Sequence, residues 1–422
     1  MRSIILLLTL LLWVLPASSE DEVGILFSRN ESHLTRAELI RKETKELRLT
    51  TFTFNLDDFG KETLGLLVDA AKRGVKVKLA VDGFEGSLPK NLAVLKALEE
   101  SGIEVKLFNP AFRNALAINN RNHQKSLIGS DFMIVGDRNM TGDYFKRQSN
   151  NNYIGVDVLV KGSQVDAARS HFDEVFESSQ MKKNAGLAVY DREIAQAKED
   201  IQNWRDQAKH VQDVRTPLPE GNLKVEEIRY KADKSDGWWF KDRDSLHSQV
   251  VKMIDEAKTS LEFMNPYVLM TPETKKAVKN ALDRGVKVKV HSNSAATTDS
   301  KLMAMAWDFQ KKELMEMGID VYELKPGQFL HAKTIVKDGS EVFVGSFNLD
   351  PRSQNINLEN GVFVKDKKVA DRVTEYNRKI RERLMVKVER EEWPKMTAKQ
   401  KFIHCTKRSL RKAVSKAMFP LL

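Results

Sequence analysis

The sequence is short of three things, and each shortage excludes a class of protein. It has a single cysteine, Cys405, among 422 residues. That rules out an intramolecular disulfide and any zinc site built on two or more cysteines. A lone thiol suits a cytosolic protein and equally an exported one that does without disulfides. Long apolar runs are also scarce: after Leu15 no segment approaches the ~20 apolar residues that a membrane-spanning helix needs. Clustered carboxylates are missing too, so no metal site is expected and any chemistry falls to the side chains themselves.

Acidic residues are outnumbered, 59 against 69 Lys and Arg, giving a formal net charge of +10 and a pI near 9.3. A basic surface implies an anionic partner, and nucleic acid, anionic membrane and small phosphate esters all qualify. Composition is otherwise that of a globular protein, 41% hydrophobic and 30% charged. The length allows two or three domains, each with its own core.

At the N-terminus Arg2 precedes an apolar run from Ile4 to Leu15, followed by Pro16-Ala17-Ser18-Ser19-Glu20. This order predicts a signal peptide over residues 1–19, either cleaved or retained as an anchor.

Downstream the chain repeats itself. Ala71-Lys-Arg-Gly-Val-Lys-Val-Lys-Leu79 is echoed by Leu282-Asp-Arg-Gly-Val-Lys-Val-Lys-Val290, each following an apolar-periodic helix and leading into an alternating strand. Gly102-Ile-Glu-Val-Lys106 likewise parallels Gly318-Ile-Asp-Val-Tyr322. The offset stays at about 210 residues, far too long for a solenoid. Alternating strands and helices in both halves predict an α/β fold. It comprises two pseudo-symmetric repeats, each a mixed and mostly buried sheet flanked by helices, with a site at their interface. The repeats are expected over 20–185 and 223–390. Between them, 186–222 carries a helix with Ile194, Ala197, Ile201, Trp204, Ala208 and Val211 on one face. The last segment, 391–422, is basic and amphipathic; from Pro394 onward it holds eight Lys or Arg and no acid. With Phe419, Leu421 and Leu422 at its end, it reads as an interfacial segment drawn to anionic lipid. Trp238-Trp239-Phe240 reads as core or a domain seam at least as well as a membrane-contacting or substrate-lining patch, and His291 and Cys405 read as structural.

The reactive residues lie at equivalent places in the two repeats. The second contains Leu330-His331-Ala332-Lys333, then Asp338-Gly339, then Gly345-Ser346-Phe347-Asn348. Residues two apart on a strand share a face, which puts His331 and Lys333 together. Asp338-Gly339 signals a hairpin, whose return through Val342-Phe343-Val344 brings Ser346 and Asn348 beside them. An imidazole, an ammonium, a hydroxyl and an amide facing one spot suit a phosphodiester, because phosphoryl transfer needs positioning and charge stabilisation above all. The first repeat has His123-Gln124-Lys125 and Gly136-Asp137-Arg138-Asn139.

His-x-Lys-x4-Asp-x6-Gly-Ser-x-Asn resembles the signature of the phospholipase D superfamily, and two copies in one chain resemble its lipid-acting form. The likeness is greatest to bacterial cardiolipin synthases of the C-type branch. It rests on Leu330-His-Ala-Lys-Thr334, Gly345-Ser-Phe-Asn-Leu-Asp-Pro-Arg-Ser353 and Asn357-Leu-Glu359, with Asn265-Pro-Tyr267, Ser292 to Asp299 and Arg138 to Phe145 in support. It covers most of the chain from Phe27 to Leu384.

The resemblance implies a covalent phosphohistidine on one histidine, with the other protonating the leaving alcohol and then activating the acceptor. It assigns His123 as nucleophile and His331 as general acid and base. Lys125, Lys333, Asn139, Asn348 and Ser346 would bind phosphate, and Glu359 would hydrogen-bond one histidine. Asp338 is a supporting residue of the motif. Neither a metal nor any other cofactor is implied.

The first repeat departs from the pattern in three ways. Ser130 or Asp131 stands in place of the motif aspartate, in a hairpin one residue shorter. Asp137 follows Gly136, placing negative charge near a phosphate site. Gly155 occupies the place matching Glu359, and Asp157, two residues along the same strand, is the expected substitute.

The expected protein is an exported phosphatidyltransferase at the surface of a bacterial membrane, in the periplasm, taking phospholipids as substrates and an anionic membrane as partner. Hydrolytic phospholipase D activity is the nearest alternative. A superfamily nuclease is a second, with nucleic acid as partner, although that form typically has one motif per chain. A basic membrane-binding protein with a decayed site is a third.

Overall fold

A computed structural model of the protein describes residues 21–110, 119–145, 152–183, 188–210, 222–234 and 245–389. The N-terminal apolar segment, Trp238-Trp239-Phe240, Cys405 and the basic tail lie outside the described residues.

Each half builds one mixed sheet. The first has nine strands, in the spatial order Leu223–Lys224, Glu22–Leu26, Asp157–Lys161, Phe132–Gly136, Ser126–Ile128, Glu46–Thr51, Lys76–Asp82, Glu104–Phe108 and Met181–Lys182. The second has eight, in the order Glu227–Ala232, Asn360–Lys365, Glu341–Gly345, Thr334–Lys337, Ser260–Met264, Lys287–Ser292, Asp320–Leu324 and Met385–Lys387. From Glu22–Leu26 and Glu227–Ala232 onward the two orders correspond strand for strand. Three neighbouring strands in each half pair in parallel, and the rest are antiparallel.

The repeated Arg-Gly-Val-Lys-Val-Lys segment shows why the halves share a shape. Helix Asp58–Lys72 starts on an Asp57 side-chain cap and helix Pro272–Asp283 on a Thr271 cap. Both end before a glycine in the left-handed region, Gly74 at φ 93° and Gly285 at φ 87°. The chain then turns straight into the strands Lys76–Asp82 and Lys287–Ser292, whose alternate valines are buried.

Alternation along the strands sorts side chains between an outer core and an inner seam. In Phe132–Gly136, Phe132 and Ile134 join the outer core beneath the first half's helices. Met133 and Val135 join the seam, where they meet Val342, Val344, Val362 and Val364 of the other sheet. Phe343 points instead to the second half's outer core. The strand Phe132–Gly136 contacts Glu341–Gly345 and Asn360–Lys365 directly, so the two sheets meet at the strands that flank both motifs.

Helix Asp191–His210 buries Ala197, Ile201, Trp204 and Ala208. It packs against helices Asp58–Lys72 and Pro89–Glu100 of the first half. A side chain at Gly65 would lie 2.7 Å from the backbone of Trp204, so the glycine permits the close crossing. Among the described residues no helix is long and apolar enough to cross a membrane.

Candidate active site

The two His-x-Lys segments lie where the chain changes partners between halves. Gln328–Leu330 runs parallel to Asn152–Ile154 of the first half, and Asn122 bridges Leu358 of the second. The backbone N–H groups of His331 and Ala332 both donate to the Ile154 carbonyl at 2.8 Å. His123 N–H donates to the Leu358 carbonyl at 2.9 Å, and Leu358 N–H to the Arg121 carbonyl at 2.9 Å. Ser126 and Thr334 then join their own sheets.

Each histidine therefore sits in a break rather than on the unbroken strand expected from sequence. The residues before it pair with the neighbouring half, and the strand after it joins the sheet of its own. The spacing still brings each lysine back to its histidine. Lys125 Nζ donates to the His123 carbonyl at 2.5 Å and Lys333 Nζ to the His331 carbonyl at 2.7 Å.

Two anchors that the sequence reading missed hold the residue before each histidine. Asp82 accepts from Asn122 N–H at 2.8 Å and from the Arg121 guanidinium at 3.2 Å. Asn293 accepts from Leu330 N–H at 2.9 Å and donates to the Leu330 carbonyl at 2.8 Å. Both lie at the end of a repeated Val-Lys-Val-Lys strand, which was the available signal.

On one side of the site, His123 Nδ1 lies 2.9 Å from both carboxylate oxygens of Glu359, which is fully buried. Glu359 is itself fixed by Ser346 Oγ at 2.5 Å and Ser353 Oγ at 2.6 Å, while its N–H donates to Asp233. Ser346 thus braces Glu359. The edge of Phe52 closes on the imidazole, with centroids 5.1 Å apart. Burial pushes His123 down to about 4; Glu359 opposes this and Lys125 and Lys333 reinforce it.

On the other side, His331 Nδ1 lies 3.2 Å from Asp137 Oδ1, and its Nε2 lies 3.1 Å from the Tyr144 hydroxyl. Lys333 Nζ is 3.1 Å from both ring nitrogens. The rings of Tyr144, Tyr153 and Phe329 surround the imidazole at 4.9, 6.0 and 6.0 Å. Burial, then Lys333, Lys125 and His123, hold His331 well below the ordinary histidine range.

Asn139 donates to the same Tyr144 hydroxyl at 3.0 Å and accepts from Thr53 N–H. The Asn348 amide oxygen is buried with no hydrogen-bond partner among the described residues. Asn139 thus reaches the site through Tyr144, a member of it that the motifs did not reveal.

Both lysines are buried and donate to carbonyls, while the nearest carboxylates already serve the histidines. The two ammonium groups and the imidazole N–H groups offer donors to an anion with several oxygens, such as a phosphodiester. Among the described residues no group of three or more His, Cys, Asp or Glu could hold a metal ion.

The model of the family described as cardiolipin synthase, phospholipase D-like domain, matches residues 37–179 and 250–381, one stretch in each half. The chain belongs to this family. It is accordingly an enzyme of the phospholipase D superfamily that transfers phosphodiesters. An uncharacterized protein of Helicobacter pylori is 28% identical over 389 residues, covering 81% of this chain and 75% of its own length. A cardiolipin synthase of Clostridium perfringens is 26% identical over 362 residues, covering 85% and 70%. Cardiolipin synthase C of Escherichia coli is 27% identical over 360 residues, covering 74% and 75%. The crystal structure of a phosphatidylserine synthase from Haemophilus influenzae shares the fold, with a TM-score of 0.70 at 14% identity over 95% of both chains.

Against the family pattern, the structure corrects two readings of the first repeat. Asp157 does not replace the missing acid at 155; its buried carboxylate binds Ser32 Oγ, Arg36 and Arg138. Neither Ser130 nor Asp131 replaces the motif aspartate. In the second repeat Asp338 lies away from the histidines and accepts from the N–H groups of Lys258, Thr259 and Ser260. Glu43 does the corresponding work in the first, accepting from Thr44, Lys45 and Ser130 N–H.

The site makes a pH prediction for this phospholipase D-family enzyme. Burial lowers Lys333 to about 8, against the pull of Asp137 and Glu359. Its ammonium is present below that pH and lost above it, so kcat/KM should fall above about pH 8. Because the bound phosphodiester anion holds the proton, kcat should persist further. A kcat/KM profile flat to about pH 10 would sink this reading of Lys333.

Proposed function

We propose that the protein is a phosphatidyltransferase of the cardiolipin synthase type, moving a phosphatidyl group from one phospholipid to a hydroxyl of another. The observation that carries this reading is the meeting of two buried His-x-Lys segments, each histidine held by a carboxylate of the opposite repeat.

Glu359 accepts from His123 Nδ1–H, leaving Nε2 with its lone pair for attack on phosphorus. The N–P bond forms as the P–O bond to the leaving alcohol breaks, and His331 Nε2 delivers a proton to that oxygen. In the second step His331 takes the proton of the acceptor hydroxyl, whose oxygen attacks phosphorus and displaces His123. The Tyr144 hydroxyl already lies against His331 Nε2, which supports this nitrogen as the one that faces an alcohol. Lys125 and Lys333 bind the non-bridging oxygens. The bound anion offsets the charges that depress His331, so the imidazole gains its proton as substrate enters.

On this reading the enzyme works at an anionic membrane surface outside the cytoplasm, reached through its N-terminal apolar segment and basic tail.

The test is incubation of purified protein with phosphatidylglycerol vesicles and, separately, with plasmid DNA, both without divalent metal. Cardiolipin and glycerol are the expected products. Phosphatidic acid alone would replace transfer by hydrolysis, and nicked DNA would replace the lipid by nucleic acid. A folded protein that yields no product in either assay would overturn the enzymatic reading.

A further inference from the structure

The second repeat shows how this fold equips a histidine. Gly345 and Gly361 pair across neighbouring strands, so Asn360 and Glu359 lie just before that pair. Ser346, on the turn, accepts from Asn360 N–H at 3.0 Å and donates to Glu359, which reaches across to His123.

The first repeat has the same backbone with different side chains. Gly136 pairs with Asp157, which sets Val156 at the place of Asn360 and Gly155 at the place of Glu359. Asp137, at the place of Ser346, accepts from Val156 N–H through Oδ2 at 2.6 Å, as the serine hydroxyl does from Asn360. Its Oδ1 then reaches His331 Nδ1 at 3.2 Å. One side chain does the work of two. A Cβ on Gly155 would lie 2.4 Å from that same Oδ1, so a side chain there would push the carboxylate from its present place.

We propose that Asp137 is the positioning residue of His331, a carboxylate relocated from the strand to the turn, and that Gly155 is the space this relocation requires. Asp137 accepts from Nδ1–H, fixing the tautomer whose Nε2 can take a proton from an alcohol. It rests on the proposed transfer reaction for its catalytic consequence, but not for its geometry. Burial raises Asp137 to about 7, while Lys333 and Arg138 oppose the rise and favour the carboxylate that accepts from the imidazole.

The experiment has one arm without substrate and one with it. Side-chain 15N spectra of the full-length protein read the His331 tautomer, with its signals assigned by their loss in His331→Gln. The wild type should show Nδ1–H. Asp137→Ser should shift His331 toward Nε2–H, and adding Gly155→Glu, which copies the second repeat, should restore Nδ1–H. With phosphatidylglycerol vesicles, Asp137→Ser should lower kcat about 100-fold or more with little change in KM, and the double variant should regain about tenfold. Should the double variant fail to fold, Asp137→Asn carries the test, because it keeps the shape and removes the charge; its kcat should fall about 100-fold or more. An Nε2–H wild-type tautomer, or near-full turnover in Asp137→Asn, overturns the proposal. A wild-type protein inactive on lipid would instead count against the transfer reaction, while the spectra still decide the role of Asp137.

Discussion

Replacing His123 or His331 by alanine is expected to lower phosphatidyl transfer about 10,000-fold or more, and the double variant should be scarcely worse than either single one. In the proposed cycle the two imidazoles act in series on one phosphorus, so losing either stops it. The variants should differ when the leaving group needs no proton. With a p-nitrophenyl phosphodiester, His331→Ala should still release nitrophenol in a first turnover, because the phosphohistidine can form without a general acid. His123→Ala should release none. The reverse outcome would exchange the roles of the two histidines, and near-full lipid activity in either variant would refute a shared site.

Glu359→Gln should cost kcat about 1,000-fold or more, although the side chain keeps its size. Both carboxylate oxygens lie 2.9 Å from His123 Nδ1, and each also accepts from a serine hydroxyl. All these partners are donors when the acid is ionised. An amide NH2 in that position must point a donor at a donor, so either the imidazole or a serine loses its bond. The imidazole then loses both its fixed tautomer and the negative charge that stabilises its cationic form. Steady-state kinetics beside a thermal melt separates this from unfolding. A variant that melts like the wild type yet turns over within about tenfold of it would dismiss Glu359 as the orienting group.

Much of this was legible before any coordinates. The repeated Arg-Gly-Val-Lys-Val-Lys segments announced two α/β halves, because glycine stops and alternating valines are local rules that sequence carries openly. His123, Lys125, His331 and Lys333 were legible for the same reason, being short motifs at fixed spacing. The supports were not. Glu359 belongs to His123, 236 positions away in the chain, and nothing local says which histidine it serves. By backbone position, Asp137 is an intrusion of negative charge and Asp157 the substitute for the acid missing at Gly155. What a histidine requires is a carboxylate oxygen at one point in space, and a different backbone position can deliver it. Glu43 makes the same point, since it reaches from the end of a helix to the amides that Asp338 reaches from a hairpin. Tyr144 was hidden because it enters the site from beyond its motif.

The pairing of each motif with the opposite half also sets the order in which the enzyme can come alive. The His123 backbone is held by Leu358, so the first histidine has no finished setting until almost the whole described chain exists. Closing so long a loop is slow compared with local folding. A polypeptide still emerging from the ribosome, or cut anywhere between the repeats before folding, carries His123 without His331 and without the Glu359 carboxylate that orients it. The reactive imidazole is therefore armed last, after the surrounding protein has closed around it.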